Sequence, residues 1–144
     1  MNPYQGKVRI RACGILVENG KILMVKHEGL GSLGYYWSPP GGGCEFGEPV
    51  IQTLKREFSE EVGLEIESGE FVGFHEHIDS RFHAMELFFK VKRLSGNVLL
   101  GSDPENTGTG PTLIDVAWFS MNELARLPKE SLHSRASEFL KTSL

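Results

Sequence analysis

The sequence predicts an α/β domain in which a mixed sheet packs between helices. Three observations carry that reading. Apolar, β-branched runs near the start end in turn signals, a helix with two distinct stripes follows a glycine-rich stretch, and strands and helices then succeed one another in mixed order. A chain of 144 residues is long enough to bury a real core as one domain spanning 1–144.

Taken in order, residues 7–17 read as a strand carrying Val8, Ile10, Ile15 and Val17. Asn19-Gly20 is a strong hairpin signal, and residues 21–27 return as its partner strand. Residues 28–34 hold three glycines and read either as a flexible connector or as a mobile lip of a binding site. Residues 35–37 form a short strand, and the prolines and glycines of 39–43 predict a turn. Pro49 suits the first turn of the next helix and Gly63 its end. Strands are expected at 70–78 and 84–92, with a turn at 79–83 between them. A long polar loop at 96–112, a strand at 114–119, a short helix at 122–127 and a terminal helix at 132–144 complete the chain.

Composition bounds the function. The hydrophobic fraction of 40% and charged fraction of 24% are ordinary for a soluble globular protein. A formal net charge of −4 argues against nonspecific nucleic-acid binding through a global positive field. Small anionic substrates stay compatible with it, because a bound metal reverses the local sign. Cys13 and Cys44 lack metal-ligand spacing and fit a reduced, cytoplasmic setting. The start has no signal-peptide core, and no apolar run approaches the roughly 18 residues of a membrane span.

The stretch 42–64 concentrates the chemistry. At helical periodicity, Ile51, Leu54, Phe58 and Val62 share one arc, and Glu57, Glu60 and Glu61 share another. Three carboxylates on one face repel unless positive charge sits among them. Hard oxygen donors at this spacing suit Mg²⁺ or Mn²⁺. No histidine lies nearby in sequence, which argues against zinc there. An ordinary solvated acidic face, with Lys55 and Arg56 as surface partners, is the plainer alternative. Metal-assisted attack of water on a phosphoryl group is the sharper one.

Spacing favours the sharper reading. Gly42, five residues, Glu48, seven residues, then Arg56-Glu57-Phe58-Ser59-Glu60-Glu61-Val62-Gly63-Leu64 resembles the Nudix box without a gap. Trp37-Ser38-Pro39-Pro40-Gly41-Gly42 is similar to the family's lead-in. Val116-Ala117-Trp118-Phe119 with Asn122-Glu123-Leu124 is similar to its last strand and helix, so the likeness spans nearly the whole chain.

The resemblance implies a Nudix-type α/β/α sandwich around a mixed sheet. It also implies a hydrolase that uses Mg²⁺ or Mn²⁺ to cleave the pyrophosphate bond of a nucleoside diphosphate linked to another group. Position by position, it makes Glu57, Glu60 and Glu61 the metal acids, with Glu57 also a candidate base. Arg56 becomes the arginine that holds the acids, Glu48 its partner, and Gly42 the glycine that brings backbone groups to the metal. Glu45 takes a lesser role. A base from a later loop is an alternative, with Glu105, Asp103 and Asp115 as candidates.

For substrate binding, Arg9, Arg11 and Arg81 offer forked donors to phosphate, and Phe82 offers a ring that can stack on a base. His75, His77 and His83 cluster near one turn, where a plain turn or sheet-surface role competes with a role in substrate binding or proton transfer. The subgroup markers are missing: Ser80 stands near the place where ADP-ribose members tend to carry a proline, and Phe82 near that of the diadenosine members' tyrosine. The general pattern leans towards ADP-ribose or NDP-sugar substrates. A sanitising nucleoside triphosphate pyrophosphohydrolase and a Nudix-fold nucleotide-binding regulator with little turnover are the alternatives. The expected partner is a small nucleotide-type substrate, without nucleic acid or membrane. Homodimerisation is an expectation by analogy with the family.

Overall fold

Strand alternation sets the layers. Successive side chains on a strand point to opposite faces, so a strand apolar at every position must be covered on both. Ile22, Leu23, Met24 and Val25 are all fully buried. Leu23 and Val25 join a core with Leu54, Phe58 and Val62, whereas Ile22 and Met24 join a second core with Leu124, Phe139 and Leu140. Helices therefore cover both faces, and the architecture is the α/β/α sandwich that the sequence predicts.

The computed structural model describes residues 6–101 and 112–144. Its elements run β1 (Val8–Ile15), β2 (Val17–Glu18), β3 (Lys21–Glu28), β4 (Tyr35–Ser38), β5 (Gly41–Gly43), α1 (Val50–Val62), β6 (Glu65–Ile78), β7 (His83–Ser95), β8 (Thr112–Phe119), α2 (Met121–Arg126) and α3 (Ala136–Thr142). A short 3-10 turn (Lys129–Ser131) precedes α3. One sheet has the order β5-β1-β7-β6. It is mixed, because β1 and β7 run parallel while the other pairs are antiparallel. The other sheet is antiparallel, with β3 between β4 and β8 and with β2 paired to β3. Among the described residues no helix is long and apolar enough to cross a membrane.

The hairpin signal holds. Asn19 and Gly20 both adopt positive φ, 53° and 75°, and Val17 and Glu18 pair with Ile22 and Lys21. In α1, Gly63 ends the helix in the left-handed region at φ 71°, and the backbone N–H of Leu99 and Gly101 bind the Val62 and Glu61 carbonyls. Helix α2 carries a capping box, Ser120 with Glu123.

Four expectations need correction. The glycines of 41–43 form strand β5 and not a turn. The open edge of β1 binds them in register, Arg11 to Gly43 and Cys13 to Gly41, and this pairing outweighs the turn preference of the composition. The two later strands are longer than expected, because β6 and β7 continue their ladder through irregular registers from Glu65 to Ile78. Residues 132–135 are not helical. Leu132 bridges to Trp37, and the His133 N–H binds the Trp37 carbonyl, so α3 begins only at Ala136. Finally, Ile51 is 37% exposed, since it sits on the rim of the apolar arc and Leu54, Phe58 and Val62 do the packing.

Candidate active site

Helix α1 is held by its apolar stripe, and that stripe fixes where its acids point. Phe58 is fully buried, and its ring occupies the space that a side chain at Gly14 would need. The opposite stripe meets β5. Glu57 is 3% exposed and Glu61 is 2% exposed, far from the solvated face of the plainer reading. Glu60 is half-buried.

Burying two carboxylates demands partners. Arg56 supplies one set. Its Nε and Nη2 fork onto Glu48 at 2.8 and 2.9 Å, and its Nη1 donates to Glu57 at 3.0 Å and to Glu60 at 3.2 Å. Its Nη2 also reaches the Gly43 carbonyl at 3.2 Å. Thr53 Oγ1 donates to Glu48 at 2.6 Å. The Arg56 hydrogen bonds, followed by that of Thr53, pull the Glu48 carboxyl down to about 2. The Glu48 hydrogen bonds and the neighbouring acids raise the Arg56 guanidinium above its ordinary value. One arginine thus stands among three carboxylates, Glu48, Glu57 and Glu60.

Strand β5 supplies the other set. The Gly41 N–H donates to Glu61 at 3.0 Å. A side chain at Gly42 would land on the Glu57 carboxylate, so only glycine lets the helix acids approach the strand this closely. Buried hard oxygen donors in excess of positive charge, beside a backbone wall, are the donor set that a hard divalent cation requires.

The substrate candidates fall in three places. Arg9 lies against Gly43, where its guanidinium fills the space of the missing side chain. Arg11 is tied to Glu86 at 3.2 Å and to the Gly41 carbonyl at 3.2 Å. Arg81 and Phe82 lie at the β6–β7 turn, where Asp79 accepts both backbone N–H groups and the Arg81 guanidinium sits 5.4 Å from the Phe82 ring centre. Arg81 also reaches the Gly29 carbonyl at 3.5 Å, linking that turn to the loop after β3. Glu45 is exposed at the turn before α1. Asp115 is exposed on β8 and binds the Val116 N–H. Glu105 and Asp103 lie outside the described residues.

The three expected histidines separate. His77 pairs with Asp79, and His83 with Glu76. His75 instead meets Glu86 and His133, two residues that sequence reasoning missed. Each of the three offers one ligand atom, and these atoms lie within 4.8 Å of one another, a grouping able to hold a divalent cation. Burial alone pushes the Glu86 carboxyl up, but the His133 hydrogen bond and Arg11 outweigh it and hold the group below its ordinary value. His27, also buried, is pushed down to about 4 by burial and by Arg11.

The sandwich and the acid helix packed on strand β5 define the NUDIX class of domain. The model of the NUDIX domain matches residues 8–142, and the chain belongs to that family. It is 28% identical over 116 residues to an ADP-ribose pyrophosphatase of Methanocaldococcus jannaschii, covering 79% of this chain and 63% of that protein. It is 31% identical over 94 residues to the NAD-capped RNA hydrolase NudC of Pseudomonas aeruginosa, covering 65% of this chain and 30% of that protein. The chain thus spans less than two thirds of either curated relative. Among solved structures it is similar to a MutT NUDIX hydrolase from Burkholderia pseudomallei. The TM-score is 0.73 at 23% identity, with 96% of this chain and 99% of that one covered, a likeness of fold.

Proposed function

We propose that this chain hydrolyses the pyrophosphate bond of a nucleoside diphosphate linked to another group, with ADP-ribose or an NDP-sugar favoured, and that it uses Mg²⁺ or Mn²⁺. The observation that carries this reading is the burial of Glu57 and Glu61 against strand β5, with Arg56 bonded to Glu57 and the Gly41 N–H to Glu61. The Methanocaldococcus relative, whose name specifies ADP-ribose and which matches 79% of the chain, supports the substrate class.

Glu57, Glu60 and Glu61 would hold the cation, together with backbone groups at Gly42. When bound, it offsets charge on the phosphoryl oxygens and lowers the pKa of water. Arg56, pinned by Glu48, fixes the rotamers of Glu57 and Glu60, so the acids are positioned before substrate arrives. Water attacks one phosphorus, the bridging P–O bond breaks, and the Glu57 carboxylate takes the proton of the attacking water. The products are a nucleoside monophosphate and a phosphorylated remainder.

The test is a panel of ADP-ribose, NDP-sugars, dinucleoside polyphosphates and nucleoside triphosphates, with products identified. Turnover should need added Mg²⁺, stop with a chelator, and fall about 10³-fold or more in Glu57→Gln while the fold persists. Release of pyrophosphate from triphosphates would move the substrate to the sanitising class. Tight binding without turnover across the panel would make the chain a nucleotide-binding regulator. Turnover by Glu57→Gln at the wild-type rate would remove Glu57 from its role.

A further inference from the structure

We propose that Glu86, clamped between Arg11 and His133, is a positioning residue that sets the metal-binding carboxylate Glu61 through the backbone of Gly41. The inference deepens the proposed function and rests on it.

Strand register creates the arrangement. Gly43, Arg11, Glu86 and His75 are consecutive cross-strand partners over β5, β1, β7 and β6, so they form one row across the mixed sheet. Side chains in such a row share a face and lie within contact distance. Arg11 Nη1 donates to Glu86 Oε2, while its Nη2 donates to the Gly41 carbonyl, both at 3.2 Å. On the other side of the same residue, the Gly41 N–H donates to Glu61 at 3.0 Å. Among the described residues strand β5 is an edge strand paired only with β1, and Gly41 has no side chain to pack. Its N–H and its carbonyl are thus gripped by two side chains, Glu61 and Arg11, while β1 holds the preceding residue through the Gly14 N–H to the Pro40 carbonyl at 2.9 Å.

The far end of the row is anchored by the segment before α3. His133 Nε2 lies 2.9 Å from Glu86 Oε1 in a buried contact. The Arg135 N–H donates to His133 Nδ1 at 3.2 Å. A ring nitrogen that accepts carries no proton, so the proton sits on Nε2 and is donated to Glu86. Each Glu86 oxygen thus has its own donor. The rings of His75 and Phe88 stand edge-to-face with the His133 ring at 4.7 and 5.2 Å and hold it in place. A cation at His133 Nε2 would have to displace the proton that Glu86 now accepts. The hydrogen bonds consequently favour a positioning chain over a second metal site at the same residues.

The experiment uses the full chain and measures Mn²⁺ binding to the free enzyme, from the loss of the free-ion electron paramagnetic resonance signal, beside nucleotide KM and kcat. Glu86→Gln should weaken Mn²⁺ binding about tenfold, the lower end of the effect of removing a group behind a metal ligand, and change KM less than about twofold. Arg11→Lys should weaken it similarly, because one ammonium cannot span Glu86 and the Gly41 carbonyl. A role confined to charge pairing would instead be rescued by lysine. His133→Ala should also weaken binding, and His133→Gln should restore it, since its amide can donate to Glu86. If Glu86→Gln fails to fold, Arg11→Lys and the His133 pair still decide. Mn²⁺ affinities within twofold of wild type in Arg11→Lys and His133→Ala overturn the proposal. So does a tightly held cation that survives Glu57→Gln and is lost in His75→Ala, which would make His75, Glu86 and His133 a metal site. If Glu57→Gln itself binds Mn²⁺ and turns over like wild type, the proposed function has failed, and not this inference alone.

Discussion

Replacing Glu48 by glutamine removes one charge from the Arg56 fork and leaves the side-chain shape. Two hydrogen bonds of 2.8 and 2.9 Å from Arg56 and one of 2.6 Å from Thr53 meet at that carboxylate. Glutamine keeps one acceptor oxygen and turns an amide N–H₂ towards a guanidinium that has only donors. The pair is half-buried, so its worth lies between that of an exposed pair and that of a buried charged hydrogen bond, about 2 kcal/mol. For a domain of this size the melting temperature should drop by roughly 6–8 °C near neutral pH. The pH dependence makes the test specific. Glu48 titrates at about 2 in the fold against an ordinary 4.5. A depressed folded pKa gives stability that is full above 4.5 and is lost as pH falls towards 2. Urea denaturation of wild type and Glu48→Gln near pH 7, near pH 5 and near pH 3.5 should show a constant gap at the first two values and a narrower one at the third. Equal stability at neutral pH, or a gap indifferent to pH, would refute the assignment of Glu48 as the ionised anchor of Arg56.

Two further outcomes follow from burial. Phe58→Ala should cost about 3–5 kcal/mol in chemical denaturation, because the ring is fully buried between α1 and β1. A loss under about 1 kcal/mol would mean the stripe does not anchor the acids. His27 titrates at about 4 against an ordinary 6.5. The unfolded chain therefore binds a proton that the fold refuses, and stability should decline as pH falls from 6.5 towards 4, by about 3 kcal/mol at most. A His27→Leu variant should flatten that slope, and an unchanged slope would place its origin elsewhere.

The acid helix was legible in the sequence because its information is local. Spacing along one helix sets which side chains share a face, and glycine and proline mark its ends. The Arg56–Glu48 contact was readable on the same ground, eight residues apart across one turn. The Arg11–Glu86–His133 row was not. Arg11 was expected to face phosphate, since an arginine on a strand gives no sign of its partner 75 residues away. Glu86 alternates like any polar residue on a half-covered strand. His133 fell inside a predicted helix, because the apolar spacing of Leu132, Ala136, Phe139 and Leu140 fits one. What moves it out is the tertiary bond from its N–H to Trp37, which no periodicity encodes. Likewise, three glycines read as a turn until the free edge of β1 is known.

The pairing pattern also constrains how the chain assembles as it is made. Strand β1 needs β7, whose partner residues lie 75 positions later, and β3 needs β8, which starts at Thr112. Both early strands thus leave the ribosome long before the strands that complete their sheets, and non-local pairing of this kind forms slowly. Until Thr112–Phe119 emerges, one edge of the apolar strand β3 stays open to other chains, a hazard for a nascent polypeptide. His133 comes later still, so the bond that secures Glu86 has to wait until nearly all of this sequence has been made. A chain truncated after β8 would keep every residue of the Nudix box and lose that anchor.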